Sequence, residues 1–172
     1  MKPVLKRTLI GLAVVFVGAQ FYRPDRPNPP VDPSQTLRAN LQVPDDVLSL
    51  IERSCGDCHT HGTEWPWYSN VAPASWLVAH HATHGREYVD FDRWGEMTAY
   101  EAQDCLDEIA EVVESGEMPL PVYLPLHPEA QMTEAERERL VTWATSTRDR
   151  LREEIGGDGA DGSDDGHGGH EH

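Results

Sequence analysis

Cys55-Gly56-Asp57-Cys58-His59 sets two thiols three positions apart, with an imidazole directly after the second. At that spacing each S–H can add across one vinyl group of a haem. The next residue is then held beneath the iron as an axial ligand, so Cys-x-x-Cys-His reads as a c-type haem attachment signature. Two other chemistries use part of the pattern. Cys55 and Cys58 with His80 and His84 would make a Cys-x2-Cys…His-x3-His zinc set. A dithiol redox site would use the two thiols alone, in a βαβ setting. Neither alternative needs a histidine immediately after the second cysteine.

Haem iron held by His59 needs a sixth ligand or an open position. Met118 stands in Glu117-Met118-Pro119-Leu120-Pro121, a stiff loop beyond a helix stop. A thioether there would give His/Met ligation, which raises the reduction potential. His80, His81 and His84 are the competing ligands, and an open site is the third possibility. Met97 and Met132 read as core fillers. Trp65, Trp67 and Tyr68 follow the thiol motif closely and are expected to pack on the macrocycle and keep water out. An ordinary aromatic core cluster is the alternative. Cys105 falls on the apolar face of its helix and reads as a buried structural thiol; if exposed, it would permit disulfide-linked dimers.

The elements that must position these groups are helical. Asp45 and Asp46 open a segment carrying Val47, Leu48, Leu50 and Ile51. Residues 73–84 read as a helix closed by Gly85. Thr98-Ala-Tyr-Glu101 and Thr133-Glu-Ala-Glu136 are capping boxes. The first leads into Cys105, Leu106, Ile109, Val112 and Val113 and stops at Gly116. The second leads into Leu140, Trp143, Ala144, Thr147 and Leu151 on one face, expected to pack on the domain's first helix. No strand alternation is legible, so the fold class is all-α: a small helical domain around one haem, over residues 45–155.

The flanks have other characters. Residues 1–7 carry Lys2, Lys6 and Arg7, and residues 8–22 are uncharged and mostly apolar. That run is short for a membrane span of about 20 residues. Residues 1–22 are therefore expected to be a signal peptide or an N-terminal membrane anchor. Either places the domain in the periplasm or on the periplasmic face of the inner membrane. Residues 23–44 hold six of the thirteen prolines and read as an extended linker that ends across the domain. Residues 156–172 are Gly, Asp and His-rich and read as a disordered tail, where His167, His170 and His172 offer weak metal binding.

Asp and Glu outnumber Lys and Arg by 30 to 14, a net charge of −16. That balance disfavours nucleic acid and favours a redox partner with a basic docking surface. No lysine follows Lys6. Any alkaline ligand exchange must therefore use a histidine or hydroxide.

Taken in order, Asn28-Pro-Pro-Val31, Ser54 through His59, Trp65 through Trp76, Gly85-Arg86, Phe91 through Trp94, Met118 through Tyr123, and His127 through Ala130 resemble the bacterial haem-binding domain family. The resemblance covers about residues 28–145 and is to small, exported, cytochrome c-like proteins. It implies one covalent haem c, with Cys55 and Cys58 as thioether residues and His59 as axial ligand. The family pattern also has the Met-Pro at Met118. His61, Cys105 and the tail extend the pattern without damaging it.

The expected function is that of a monohaem electron carrier rather than an enzyme, because no distal acid–base arrangement is legible. A haem sensor with a displaceable sixth ligand and a structural zinc module are the alternatives.

Overall fold

The structure, a computed structural model, describes residues 3–158. It is all-helical among those residues. Seven α-helices follow in order: α1 (Pro3–Ala19), α2 (Leu37–Asn40), α3 (Asp45–Ser54), α4 (Gly56–His59), α5 (Ala74–Tyr88), α6 (Ala99–Glu114) and α7 (Glu134–Asp158). Short 3-10 turns at Trp67–Asn70, Trp94–Glu96, Leu124–Leu126 and Pro128–Ala130 join them.

Both capping boxes form. Thr98 Oγ1 accepts the Glu101 N–H while the Glu101 carboxylate accepts the Thr98 N–H, and Thr133 and Glu136 repeat the exchange. Gly116 ends α6 with φ +79°, a conformation that favours glycine. The apolar stripes that these caps align pack together. Leu106 of α6, Leu140 of α7 and Val47 of α3 are essentially sealed from solvent. Each such side chain contributes about 1.5–3 kcal/mol of burial. Trp143 and Leu140 do meet α3 residues in the core, but α7 lies chiefly along α6. Met132 is buried and Met97 packs on the core's edge, as fillers should. Cys105 is buried in the same core, so its thiol is not placed to link two chains.

Gly85 does not close its helix. α5 continues to Tyr88. The glycine is there for a close approach: a Cβ at Gly85 would stand 2.6 Å from the carbonyl oxygen of Cys58. Helix α5 can therefore press its backbone onto the thiol motif.

The proline-rich segment lies against the helices. Arg86 donates to the Pro27 carbonyl, and Asn28 donates to the Thr63 carbonyl at 2.9 Å. Further on, Leu37 is buried and its N–H reaches the Phe91 carbonyl at 2.7 Å. The packed unit thus begins ahead of Asp45. α1 buries none of its 17 residues. Among the described residues no helix is long and apolar enough to cross a membrane. His167, His170 and His172 lie outside the described residues.

Candidate haem site

Helix α3 turns into α4 with almost no break. Cys55 N–H donates to Ile51 O at 2.9 Å, and His59 N–H donates to Cys55 O at 3.0 Å. Cys55, Cys58 and His59 consequently occupy one helical turn, where residues three and four apart share a face. His59 is then oriented by its other nitrogen. Nδ1 lies 3.0 Å from the Val89 carbonyl oxygen, which can only accept, so Nδ1 carries the proton and Nε2 keeps its lone pair. Burial outweighs that hydrogen bond and holds the His59 pKa below its ordinary value. The ring is neutral at pH 7, as a metal ligand must be. The Phe91 N–H donates to the His59 carbonyl at 2.9 Å, pinning the backbone from the other side.

Above this turn lies a cavity of about 440 Å³. Cys55, Cys58 and His59 line one part of it, Met118 another, and Ile109 and Val112 of α6 supply aliphatic wall. Pockets for cofactors are typically about 300–1,000 Å³ and mostly apolar with few polar groups. The donor set fits a haem: two sulfurs for the vinyl edge, an imidazole with a free nitrogen, a thioether, and hydrocarbon for the ring faces.

The thiols argue against dithiol chemistry. Burial pushes Cys55 up to about 12 and Cys58 up to about 11. A redox dithiol is activated by the opposite shift. The zinc set does not assemble. Among the described residues no three His, Cys, Asp or Glu side chains group to hold a metal ion. His84 reaches the cavity, while His80 does not line it.

Met118 sits in the loop after α6, its N–H donating to the Val112 carbonyl at 3.0 Å. Of the three competing histidines, His81 and His84 line the same cavity as Met118. Trp65, Trp67 and Tyr68 do not line it. Trp67 is 77% exposed. Trp65 faces the proline-rich segment, donating from Nε1 to Asn28 Oδ1 at 3.2 Å with the Arg26 guanidinium over its ring. Tyr68 borders a small neighbouring hollow that shares Cys58 with the main cavity.

That hollow holds the contacts that sequence reasoning missed. The Tyr123 hydroxyl donates to Asp57 Oδ2 at 2.6 Å. The Tyr123 ring stacks on His127 at 3.9 Å and 7°. His127 Nε2 pairs with the Tyr68 hydroxyl, and its Nδ1 with Glu129. Asp57 is the second residue between the two cysteines, so this clasp ties the Met118 loop to the thiol motif. Burial, with the Asp57 carboxylate alongside, pushes the Tyr123 phenol pKa up, so it stays a donor. Arg86 was missed too. It turns inward, donating to Thr60 O at 2.8 Å and to Thr63 Oγ1 at 2.6 Å. Its signal in the sequence was its place in the Gly85-Arg86 pair of the family pattern, which gave it no role. His61 is buried with its Nε2 2.8 Å from Asp90 Oδ2, behind the motif rather than in the cavity.

No curated protein and no solved structure matches the chain. One family model does, that of the haem-binding domain, over residues 14–146. The geometry of Cys55, Cys58 and His59 and this match agree on the cofactor: the chain belongs to the haem-binding domain family.

Proposed function

We propose that this haem-binding chain is a monohaem c-type cytochrome that carries single electrons outside the cytoplasm. The observation that carries the reading is the meeting of Cys55, Cys58, His59 and Met118 around one largely hydrocarbon cavity. Cys55 and Cys58 would hold the haem as thioethers, each S–H adding across one vinyl with no leaving group. When bound, the haem supplies an iron that gains or loses one electron. His59, its ring fixed by Val89, would ligate the iron through Nε2, and Met118 would ligate it through its thioether sulfur. Ile109 and Val112 exclude water and so tune the potential. A chain that keeps six ligands in both states rearranges little on transfer. No catalytic step is assigned.

The net charge of −16 favours a partner with a basic docking surface. Exchange with such a partner slows as salt rises, because the Debye length falls from about 30 Å at 0.01 M to about 10 Å at 0.1 M. The basic residues 1–7 and the apolar, fully unburied α1 support export, by a signal peptide or as a periplasmic membrane tether.

A second reading, a haem sensor with a displaceable sixth ligand, is favoured by His81 and His84 sharing the cavity with Met118. The deciding experiment matures the chain in a host with a cytochrome c assembly system. Haem that survives denaturing electrophoresis supports covalent attachment, and a pale chain with alkylatable Cys55 and Cys58 ends it. In the oxidised spectrum, loss of the sulfur-to-iron band in Met118→Ala supports the thioether ligand. Rapid carbon monoxide binding by the reduced wild type favours the sensor.

A further inference from the structure

Helix α5 carries a second arrangement of ligating side chains, on its exposed face at the rim of the haem cavity, which His84 borders and His80 does not. His80 and His84 are one turn apart, both exposed, with ring centroids 4.1 Å apart. His84 Nδ1 lies 2.8 Å from a Glu87 carboxylate oxygen. That contact places the proton on Nδ1 and leaves Nε2 free. A carboxylate behind an imidazole is the arrangement that fixes and strengthens a metal-binding histidine. His81 stands apart, its ring 6.0 Å from His80 and its side chain on the haem cavity. Arg86, two positions after His84, has its guanidinium turned to Thr60, Thr63 and Pro27.

We propose that His80 and His84 chelate a divalent first-row transition ion, Cu²⁺, Ni²⁺ or Zn²⁺, with Glu87 orienting His84 and water completing the coordination. Metal–imidazole bonds of about 2.0–2.1 Å require the two nitrogens to come within about 4 Å. The two rings, one helical turn apart, already have their centroids 4.1 Å from each other. Imidazole selects these ions, whereas Mg²⁺ and Ca²⁺ prefer all-oxygen sites. The affinity follows the order Cu²⁺ above Ni²⁺ and Zn²⁺. The net charge of −16 concentrates cations at the surface generally. This site differs from the zinc set considered from the sequence, because it uses neither cysteine.

The test uses the full-length, haem-loaded chain with His167, His170 and His172 changed to Asn, so that the tail cannot supply the ligands. Calorimetric titration with Ni²⁺ is expected to show one bound equivalent. His80→Asn, which leaves the haem cavity untouched, and His84→Asn each weaken binding more than tenfold. Glu87→Gln weakens it about tenfold, the lower end of the effect of losing an orienting carboxylate. The proposal is overturned if the tail-substituted chain shows no Ni²⁺ binding. It is equally overturned if His80→Asn binds Ni²⁺ as tightly as its parent.

Discussion

The haem cavity has two unlike walls. The wall bearing Cys55, Cys58 and His59 is held by backbone. Its turn continues α3, its carbonyls receive Phe91 and Arg86, and α5 lies on it at a distance only glycine permits. The wall bearing Met118 is tied to α6 by one backbone bond, Met118 N–H to Val112 O, and beyond that is held by side chains. Past Gly116 the chain has only 3-10 turns until α7, and Tyr123, His127 and Tyr68 fasten it to Asp57 and its surroundings. Backbone contacts fix a group whose geometry must not vary. Side-chain contacts fix one whose strength can be set residue by residue. In the proposed cytochrome, the first wall decides whether haem is retained and the second decides how firmly the sixth position is closed.

The largest effect expected is on the first wall. Gly85→Ala drives a Cβ to 2.6 Å from the Cys58 carbonyl oxygen and 3.2 Å from Cys58 Cβ. Neither atom is a flexible side-chain end, so α5 must move off the motif. Overpacking of this kind costs about 1–3 kcal/mol or more. The denaturation midpoint and the haem content should fall together. Gly95→Ala is the comparison: its Cβ also meets an atom at 2.6 Å, but the atoms it meets, the Gln35 amide oxygen and the Asn40 amide at 2.8 and 3.0 Å, are side-chain ends rather than backbone. If the two variants are equally stable, the backbone account of the first wall is wrong.

A smaller effect, and of another kind, is expected on the second wall. Tyr123→Phe removes the hydroxyl that donates to Asp57 and leaves the stacked ring in place. The hydrogen bond is to a carboxylate but half-buried, so its loss costs about 1 kcal/mol. That is about a fivefold change in the fraction of open sixth position. Carbon monoxide binding to the reduced protein should speed up by that factor, with haem content unchanged. A variant with wild-type carbon monoxide kinetics would show that the clasp does not hold Met118.

The two walls were unequally legible in the sequence. The first wall's residues are adjacent in the chain, so Cys55, Cys58 and His59 declare their chemistry by spacing alone. The helices follow from caps and apolar periodicity, which act over a few residues. What was not legible depends on contacts between distant segments. Gly85 reads locally as a helix stop, and only the approach of α5 to Cys58 gives it another purpose. Trp65 and Trp67 read as haem packing because large aromatic residues are costly to expose. The structure spends Trp65 on the proline-rich segment, through Asn28 and Arg26, and leaves Trp67 outside. The Tyr123–Asp57 bond joins residues far apart in the chain and has no short-range signature. The Met118 loop was legible because Pro119 and Pro121 mark it, and Met118 does line the cavity, whereas the loop's fastening was not legible.

The smallest expected effect tests the second wall from its far end, and its size depends on pH. Helix α6 supplies Ile109 and Val112 to the cavity and leads into Met118, and it starts at Thr98. Thr98 and Glu101 exchange hydrogen bonds, and the bonds from Thr98 hold the Glu101 carboxyl below its ordinary 4.5. The folded chain therefore favours the ionised carboxylate. Its contribution is complete above pH 4.5 and is lost as pH falls through the lowered folded value. At pH 7, Thr98→Ala removes the hydroxyl's bonds with the Glu101 N–H and carboxylate, keeps the backbone N–H bond to that carboxylate, and costs about 1 kcal/mol, the usual worth of an N-cap. Near pH 3 the wild type has already lost part of the exchange, so the gap between wild type and variant in denaturation midpoint should narrow. Tyr123→Phe, by contrast, acts at the Met118 loop and changes carbon monoxide binding at pH 7. If Thr98→Ala raised the carbon monoxide rate as much as Tyr123→Phe does, the second wall would be one cooperative unit with α6 rather than a loop set by its own clasp.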